Sequence, residues 1–483
     1  MTDHVRQHRE LTKSRVLRAW SVSFPDPIAP GGVRGDRARG MVANVSQRGE
    51  RVRNDFDSVS IYQRPIFNAT WDSATCRWVD LVRQGEEGFT FSPTEENREV
   101  VYRCTPFWYR VEYTKDVGLS FVSVTDKPLK GYKLAPMFKN GASYEYRPCF
   151  EMSYGTDGKP HSRAGFYPAI GTPTSLMGSM RAIGKNARTE NVADWFCDYI
   201  LMLVEFGTRN LQDIMVGAQR TYVDAILDVS EFDLPPGIYV KSPDDVEIGV
   251  LMKLKYCDEN EEYHEKTLKV LAISSEKTDG GYYVTVDEDD IGSIIENSME
   301  IDLIYAPCRT GSVLPYLSAS SGKIHTHGQL PCAWRGKENP WGNVSSLICD
   351  LLFELKGDSQ MDVYRLSDPQ KLDGALNEHY DKLETTNNFF SDKYTTWGYI
   401  KSYTYVGEDY IMMPGSIQQG NCAQYWASYA GMCPSQDKGG VRYLRVGGDY
   451  ETSPNTNAGC YELLGGEHLS TFGARLIMEE RSK

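Results

Sequence analysis

The C-terminal part of the sequence interleaves large aromatic side chains with short polar ones. Tyrosine and tryptophan supply wide contact areas at a low entropic cost, whereas asparagine and serine supply adaptable hydrogen bonds. Aromatic and arginine side chains also carry much of the binding energy of protein interfaces. This composition predicts a ligand-binding surface. Its predicted residues are Tyr425, Trp426, Tyr429, Tyr443, Arg445, Asp449, Tyr450, Asn455, Asn457 and Tyr461.

Alternation along residues 441–446 predicts which of these side chains face outward. Successive side chains of a strand point to opposite faces, so Tyr443 and Arg445 share one face while Leu444 and Val446 share the other. The apolar pair favours burial of Leu444 and Val446, although the opposite arrangement would bury Tyr443. We therefore expect Tyr443 and Arg445 to lie on the exposed face.

Residue types that perform covalent or metal chemistry are present, but not in characteristic spacings. The eleven cysteines include no closely spaced pair, which predicts neither a disulfide framework nor a zinc site and favours a reduced state. His325 and His327 could share a strand face as metal ligands, yet no third ligand accompanies them, so a solvated loop is favoured. No nucleophile-elbow, phosphate-loop or dinucleotide motif occurs. We expect no catalytic residue, no metal and no cofactor.

Charge is unevenly distributed along the 483 residues. The formal net charge is −14, and residues 220–302 hold 21 acidic and 7 basic side chains, which equals the whole imbalance. Residues 1–53 hold 11 basic and 5 acidic side chains. Because a negative surface repels phosphate backbones, we expect no nucleic-acid partner. Charge that segregates by segment indicates a modular organisation.

No segment has the composition of a membrane anchor or a secretory leader. The most apolar run, residues 195–206, is shorter than the roughly 20 residues that span a bilayer, and it contains Asp198 and Glu205. Residues 1–20 are charged throughout and lack the apolar region of a signal peptide. We expect no membrane insertion, and synthesis and folding in a cytoplasm.

Hydrophobic patterning and composition divide the chain into four parts. We expect an N-terminal arm or attachment segment at residues 1–55 and a small β-rich domain at residues 56–149. A larger domain is expected at residues 150–483, interrupted by an acidic β insertion at residues 220–306.

Two helices are expected in the larger domain. Apolar residues recur with a period of 3.6 after Asn191, which can cap the helix, and Gly217 is the expected stop. A second helix is expected at residues 344–355, after the turn-rich residues 338–343.

Three short motifs link the larger domain to a known fold family. They are NPWGNV at residues 339–344, LRVGGDY at residues 444–450 and FGARL at residues 472–476. Together, and in this order, they resemble the C-type lectin-like subgroup that includes formylglycine-generating enzymes. The resemblance implies an α+β fold: a C-type lectin-like C-terminal domain with a β insertion, preceded by a small β-rich N-terminal domain.

Within that subgroup, the chain is most similar to phage and prophage tail-tip proteins, including the variable proteins of diversity-generating retroelements. Their C-terminal domain ends in a Gly-Gly segment rich in Tyr, Asn and Ser, followed by Gly-Ala-Arg-Leu. The resemblance implies a receptor-binding, non-enzymatic protein of the virion tail tip or fibre, made in the host cytoplasm. Its implied partners are a host cell-surface protein or glycan and other tail proteins, and its implied assembly is a homotrimer.

Three other functions stay open. A formylglycine-generating oxidase needs reactive cysteines just past the Gly-Gly strand, but residues 447–453 carry none and Cys460 stands alone. A bacterial surface adhesin would use the same scaffold but would need an export signal. A polysaccharide-degrading tail enzyme would need a carboxylate pair, which only three-dimensional spacing identifies.

Overall fold

Strands dominate the structure of the protein. They make up 43% of it, whereas helices make up 12%, so the chain is a mostly β protein. The computed structural model describes residues 18–46, 50, 52–138, 142–215, 217, 223, 225–227, 232–243, 246, 248–318, 320–321, 331–356, 360–372, 376–387, 397–418, 429–432, 441–448, 458–464 and 472–480.

The described elements are numbered here in chain order. The strands before residue 190 are β1 (Trp20–Ser23), β2 (Val33–Asp36), β3 (Ile66–Asp72), β4 (Arg77–Arg83), β5 (Arg98–Cys104), β6 (Trp108–Thr114), β7 (Gly118–Thr125), β8 (Lys133–Leu134), β9 (Glu145–Pro148), β10 (Ser153–Tyr154), β11 (Pro160–His161) and β12 (Ala187–Arg188). The acidic stretch contains β13 (Ala225–Ile226), β14 (Ile238–Val240), β15 (Leu251–Cys257), β16 (Tyr263–Thr278), β17 (Gly281–Val286) and β18 (Glu300–Tyr305). The remaining strands are β19 (Ser320–Ser321), β20 (Ala333–Trp334), β21 (Lys337–Glu338), β22 (Ser345–Leu355), β23 (Gln360–Leu366), β24 (Tyr380–Asn387), β25 (Trp397–Val406), β26 (Glu408–Gln418), β27 (Tyr429–Met432), β28 (Val441–Val446), β29 (Tyr461–Leu464), β30 (Phe472–Gly473) and β31 (Ile477–Met478). The α-helices are α1 (Pro173–Ile183), α2 (Val192–Phe206) and α3 (Ile291–Glu296).

Four sheets carry most of these strands. Two belong to the N-terminal part, with strand orders β2-β1-β7-β6-β8 and β4-β3-β5-β9. A six-stranded sheet, β13-β14-β17-β16-β15-β18, belongs to the acidic stretch. The largest sheet has nine strands in the order β24-β23-β22-β28-β29-β27-β25-β26, with β30 beside β22. It carries the C-terminal part of the chain.

The N-terminal strands share a core with the large sheet. Val22 of β1 and Tyr109 of β6 are buried in the same apolar cluster as Phe196 of α2 and Tyr403 of β25. β1 also pairs with β7 along its whole length. The described part of the expected arm therefore belongs to the main fold, which we call the body. The apolar core of the body is continuous across residue 149, the expected boundary between the small and the larger domain.

The acidic stretch is a separate module with its own core. Fourteen of its buried residues, from Val223 to Tyr305, form an apolar cluster of their own, and no described residue from outside the stretch belongs to it. Hairpins β15–β16 and β16–β17 build most of its sheet, and α3 packs on it through Ile291 and Ile295. We call the described residues between 223 and 306 the acidic module.

Helix α2 is the predicted helix, and it is buried on all sides. Asn191 and Asp194 form a capping box, in which each side chain accepts a hydrogen bond from the other residue's backbone N–H. The helix ends at Gly207, whose φ of +66° is the left-handed conformation favoured at helix ends, and not at the predicted Gly217. Within the described ranges, no helix combines the length and apolar character needed to cross a bilayer.

The predicted helix at residues 344–355 is wrong, because these residues form β22. This strand lies between β23 and β28 in the sheet, and most of its side chains are buried because its two faces pack into two different apolar clusters. A strand of this kind is a continuous apolar run whose sequence has no period of 2. Such a run cannot be told from a buried helix by periodicity alone. Helix α1, at Pro173–Ile183, was not predicted from the sequence.

Helix α2 carries three buried carboxylates that meet cations from distant parts of the chain. Asp194 pairs with Arg147 at 2.8 Å and with Arg188 at 2.5 Å. Burial alone would raise the pKa of Asp194, but the two guanidinium groups hold it below its ordinary value. Asp198 pairs with Arg64 at 2.7 Å and with Lys337 at 3.1 Å, which similarly lowers its pKa.

Glu205, in the last turn of α2, has the most completely buried of these carboxylates. Its Oε1 atom lies 2.8 Å from Arg335 Nη2, and its Oε2 atom accepts hydrogen bonds from Arg335 Nε and Trp334 Nε1, each at 2.9 Å. Asn54 donates to the same carboxylate at 2.8 Å. We call the paired charges of Asp194, Asp198 and Glu205 the helix ion-pair ladder.

We expect removal of one ladder carboxylate to destabilise the whole protein. Glu205→Ala leaves the Arg335 guanidinium buried without its main partner, which typically costs about 3–5 kcal/mol. In the matched control Glu112→Ala, the lost pair with Arg110 is largely exposed, and the cost should stay below about 1 kcal/mol. Urea unfolding of both variants measures the difference, and equal midpoints would contradict a stabilising role for the ladder.

Candidate functional site

The structure corrects the predicted exposure of Tyr443 and Arg445. Only 2% of Tyr443 and 7% of Arg445 are exposed, because β28 is covered on both faces of the large sheet. The Tyr443 ring packs edge-on against Phe472. Arg445 Nε lies 2.7 Å from the Glu462 carboxylate on neighbouring β29. The alternation was read correctly, but the conclusion that one face is exposed is wrong.

Tyr461 is also an interior residue. Its ring packs against Trp195 of α2 and Phe353 of β22, and burial raises the pKa of its hydroxyl well above the ordinary value. Tyr461 therefore supports the sheet from inside and does not face a ligand. Its prediction as a ligand-contacting residue is wrong.

The other predicted residues lie at or beyond the ends of the described strands. Tyr429 is the first residue of β27 and pairs with Tyr399 of β25. The remaining six lie outside the described residues, as do His325 and His327. The six are Tyr425, Trp426, Asp449, Tyr450, Asn455 and Asn457.

The strand register brings the flanks of these six residues together. Tyr399 pairs with both Gln418, the last residue of β26, and Tyr429, the first residue of β27. Next to Tyr429, Ala430 pairs with Tyr461, the first residue of β29, and Tyr461 pairs with Val446, the last residue of β28. All four strand ends therefore lie at one level of the sheet, which we call the converging end.

Two chain segments attach at the converging end. Residues 419–428 connect β26 to β27 and contain Tyr425 and Trp426, whereas the link from β28 to β29 contains the other four predicted residues. In the sequence, these two segments are separated by β27 and β28. Strand pairing in the sheet brings their flanking residues together, which the sequence alone does not show.

The three sequence motifs also meet beside this end of the sheet. Arg475 Nη2 of FGARL donates to the backbone carbonyls of Glu338 and Asn339 at 2.6 and 2.8 Å. Gly447 of the Gly-Gly pair has a φ of +89° and packs directly against Trp341. Val446 pairs with Ser346, whose neighbour Ser345 pairs with Phe472. We call residues 338–346, 446–448 and 472–475 the motif junction.

Two buried glutamates accept hydrogen bonds at the motif junction. Glu151 accepts from Asn343 Nδ2 at 2.6 Å and from the Val344 N–H at 3.2 Å. Glu338 accepts from the N–H groups of Gly311 at 2.9 Å and Val313 at 3.1 Å. Burial raises the pKa of Glu338 to about 8 and also raises the pKa of Glu151.

These contacts fasten the acidic module to the body. The Asn343 side chain accepts from the Cys308 N–H at 2.6 Å and donates to the Cys308 carbonyl at 3.1 Å. Together with Glu338, it holds residues 308–313, which directly follow the module. On the other side of the module, Trp341 Nε1 donates to Gln212 at 3.0 Å. The NPWGNV motif therefore has a structural role that its sequence alone did not reveal.

The described cysteines are not poised for nucleophilic chemistry. All nine are buried, and none forms a disulfide. Burial raises the pKa of Cys308 and Cys349 well above the ordinary thiol value and that of Cys332 similarly. Because the thiolate is the reactive and metal-binding form, these thiols are held in the unreactive state.

One cluster of described residues has spacing compatible with metal binding, and the sequence reasoning missed it. Asp258, Glu262 and His264 lie at the turn between β15 and β16, with their ligand atoms within 4.8 Å of one another. His264 Nε2 lies 2.9 Å from Asp258 Oδ2, and Asp258 Oδ1 accepts two backbone N–H groups. The Asp258 carboxylate is thus already engaged in the turn. The only sequence signal was the spacing of one His and two acidic residues.

Comparison with known proteins adds no relative. No protein-family model matches the sequence, and no curated protein matches it.

The raised pKa of Glu338 predicts a pH dependence of stability. The folded protein keeps a proton on Glu338 that the unfolded chain, with an ordinary pKa of 4.5, releases. The associated stability is complete below about pH 4.5 and is lost as pH rises through about 8, on the order of a few kcal/mol. Glu338→Gln has no proton to release, so its unfolding free energy should fall less over this range.

Urea unfolding of both proteins between pH 4.5 and 9 measures this difference, with Glu112→Gln as the exposed control. The difference between the wild type and Glu338→Gln should change steadily with pH, whereas the control should run parallel to the wild type. Parallel curves for Glu338→Gln would show that this carboxyl does not titrate as described.

Proposed function

We propose that this chain is a receptor-binding protein of a virion tail tip, with a C-type lectin-like C-terminal domain. The observation that carries the proposal is the converging end of the large sheet. It brings together the flanks of two segments whose composition, rich in Tyr, Trp, Asn and Asp, is typical of binding surfaces. The adjacency of the three motifs supports the same family resemblance. The proposed partners are a host cell-surface protein or glycan and other tail proteins.

The proposed contact residues are those that lie on or beside the two segments. Tyr443, Arg445 and Tyr461 are excluded from this surface, because their buried side chains hold β28 and β29 in place instead. Segments joined to the ends of well-packed strands suit a binding role, since the scaffold does not depend on the identity of the contacting side chains. The proposed contacts are Tyr425, Trp426, Tyr429, Asp449, Tyr450, Asn455 and Asn457.

The formylglycine-generating alternative has less support than the binding role. It requires accessible, activated thiols, whereas the nine described cysteines are all buried. Cys460, which follows the Gly-Gly segment, is among them. A surface adhesin would use the same contacts, so it differs from the proposal only in where the protein resides. Detection of the protein on virions by immunogold labelling separates these two roles.

Truncation of an aromatic contact should remove cell binding without affecting the fold. We expect Trp426→Ala and Tyr450→Ala to weaken binding to bacterial cells labelled by the wild-type protein by about thirtyfold or more, as is typical of interface hot spots. Flow cytometry with fluorescent protein measures the binding, and thermal unfolding measures the stability.

The matched controls are Leu444→Ala and Arg445→Ala. Both side chains are buried, and the second substitution also removes the Arg445–Glu462 ion pair, so both variants should unfold at lower temperature. Cell labelling that persists in both Trp426→Ala and Tyr450→Ala would place the contact surface elsewhere.

Assembly provides a second test. The proposed resemblance to tail-tip proteins implies a trimer, and closed symmetry is usual among homo-oligomers. We expect a homotrimer by light scattering, with the N-terminal segment contributing to its stability. Because Trp20, Val22 and Phe24 belong to the main core, deletion of residues 1–55 would remove structural residues, so deletion of residues 1–17 is the cleaner variant. A monomer at micromolar concentration would contradict the proposed assembly.

A further inference from the structure

A large cleft lies away from the converging end, between the N-terminal strands and the large sheet. It has a volume of about 970 Å³, near the top of the range of roughly 300–1,000 Å³ for ligand pockets. Its lining comes from β4 and β9 on the N-terminal side and from β23, β24 and β26 of the large sheet. Asn191, the cap of α2, also lines it. No stretch of sequence could have indicated this site, because its lining is drawn from many separate strands.

Most charges that line the cleft already neutralise one another. Arg147 pairs with Glu145 at 3.2 Å, and Arg188 pairs with Glu479 at 2.5 Å. Arg365 is the third lining arginine with carboxylate partners, and its guanidinium group lies 3.9 Å from Asp350 and 3.8 Å from Glu408. A cationic ligand would have to compete with these arginines for four of the lining carboxylates, namely Glu145, Asp350, Glu408 and Glu479. An anionic ligand would meet a lining in which carboxylates outnumber guanidinium groups.

Three charged side chains of the lining have no ion-pair partner within the described part of the chain. They are Arg77 on β4, Asp381 on β24 and Glu480 after β31. The guanidinium of Arg77 offers several hydrogen-bond donors, whereas the two carboxylates offer acceptors. Donors and acceptors therefore reach the same cleft from different sheets, with little net charge left to neutralise. Hydroxyl groups, which both donate and accept, match this mixture.

Aromatic rings complete the lining. Tyr144 is 43% exposed, and the guanidinium of Arg103 stacks on its ring at 4.2 Å, which helps to fix its orientation. Tyr146, two residues along, is half-buried, and Tyr410 lines the opposite sheet. The negative face of a tyrosine ring attracts weakly positive C–H groups, such as those on the apolar face of a sugar ring.

We propose that this cleft is a binding site for a neutral glycan, separate from the receptor-contact segments. A neutral, polyhydroxylated chain would stack on Tyr144 and exchange hydrogen bonds with Arg77 and Asp381. It would need no disruption of the arginine–carboxylate pairs beneath it. The proposal does not rest on the cell-attachment role, because it is argued from described lining residues that are not among the proposed receptor contacts.

The test begins with the full-length protein on an array of neutral and acidic bacterial and plant oligosaccharides, with lysine-rich peptides as charged probes. We expect binding to neutral oligosaccharides, with an affinity that changes little between about 50 and about 500 mM salt, since no net charge is exchanged. Binding only to acidic glycans or to the peptides, or to none of the probes, would overturn the proposal.

Variants then locate the bound glycan by calorimetric titration. Tyr144→Ala and Asp381→Ala should each weaken binding at least about tenfold. The matched control Tyr154→Ala removes a tyrosine of similar exposure, 41%, that does not line the cleft, and it should bind normally. Trp426→Ala should also retain glycan binding, which separates this site from the receptor surface. Unchanged affinity in Asp381→Ala and Tyr144→Ala would rule out the cleft.

Discussion

The burial of α2 with its carboxylates charged is the constraint on which the rest of the fold depends. An ionised carboxylate leaves water at a cost of several kcal/mol unless cations and hydrogen bonds replace its hydration. Asp194, Asp198 and Glu205 obtain these partners from β9, β12, β20–β21 and the segment before β3. No contiguous stretch of chain could supply them, so the helix can be buried with its charges paired only when the N-terminal part and the segments around β12 and β20–β21 are in place together.

This dependence explains why the N-terminal part has no independent core. Arg64 and Arg147 belong to that part, yet their partners lie on α2. Arg34 of β2 likewise donates to the backbone carbonyl of Glu205 and stacks on Phe56. Charge pairing and apolar packing therefore cross the same boundary. The cleft depends on the same ion pairs. Arg147 and Arg188 line it, where they pair with Glu145 and Glu479, and both also pair with Asp194 of α2.

The sequence predicted those features whose signals are local. The period of 3.6 and the Asn191 cap identified α2, and the acidic composition identified the module that has its own core. A helix was predicted at residues 344–355, where the structure has β22, because a central strand buried on both faces has no period of 2 in its sequence. Tyr443 and Arg445 were misplaced because alternation separates two faces without showing whether either meets solvent. Arg445 is buried because of Glu462 on a neighbouring strand, a partner that only the sheet register reveals.

The acidic module makes the charge distribution of the molecule asymmetric. Since the whole chain and residues 220–302 carry the same formal charge of −14, the remainder carries no net charge. The formal negative charge of the chain is therefore concentrated in the module and the residues next to it. Within a Debye length of about 8 Å, an anionic surface repels the module but not the body. Glu338 and Asn343 fix the segment that follows the module to the motif junction, so this repulsion acts on the body as well and favours approaches with the module turned away from the surface.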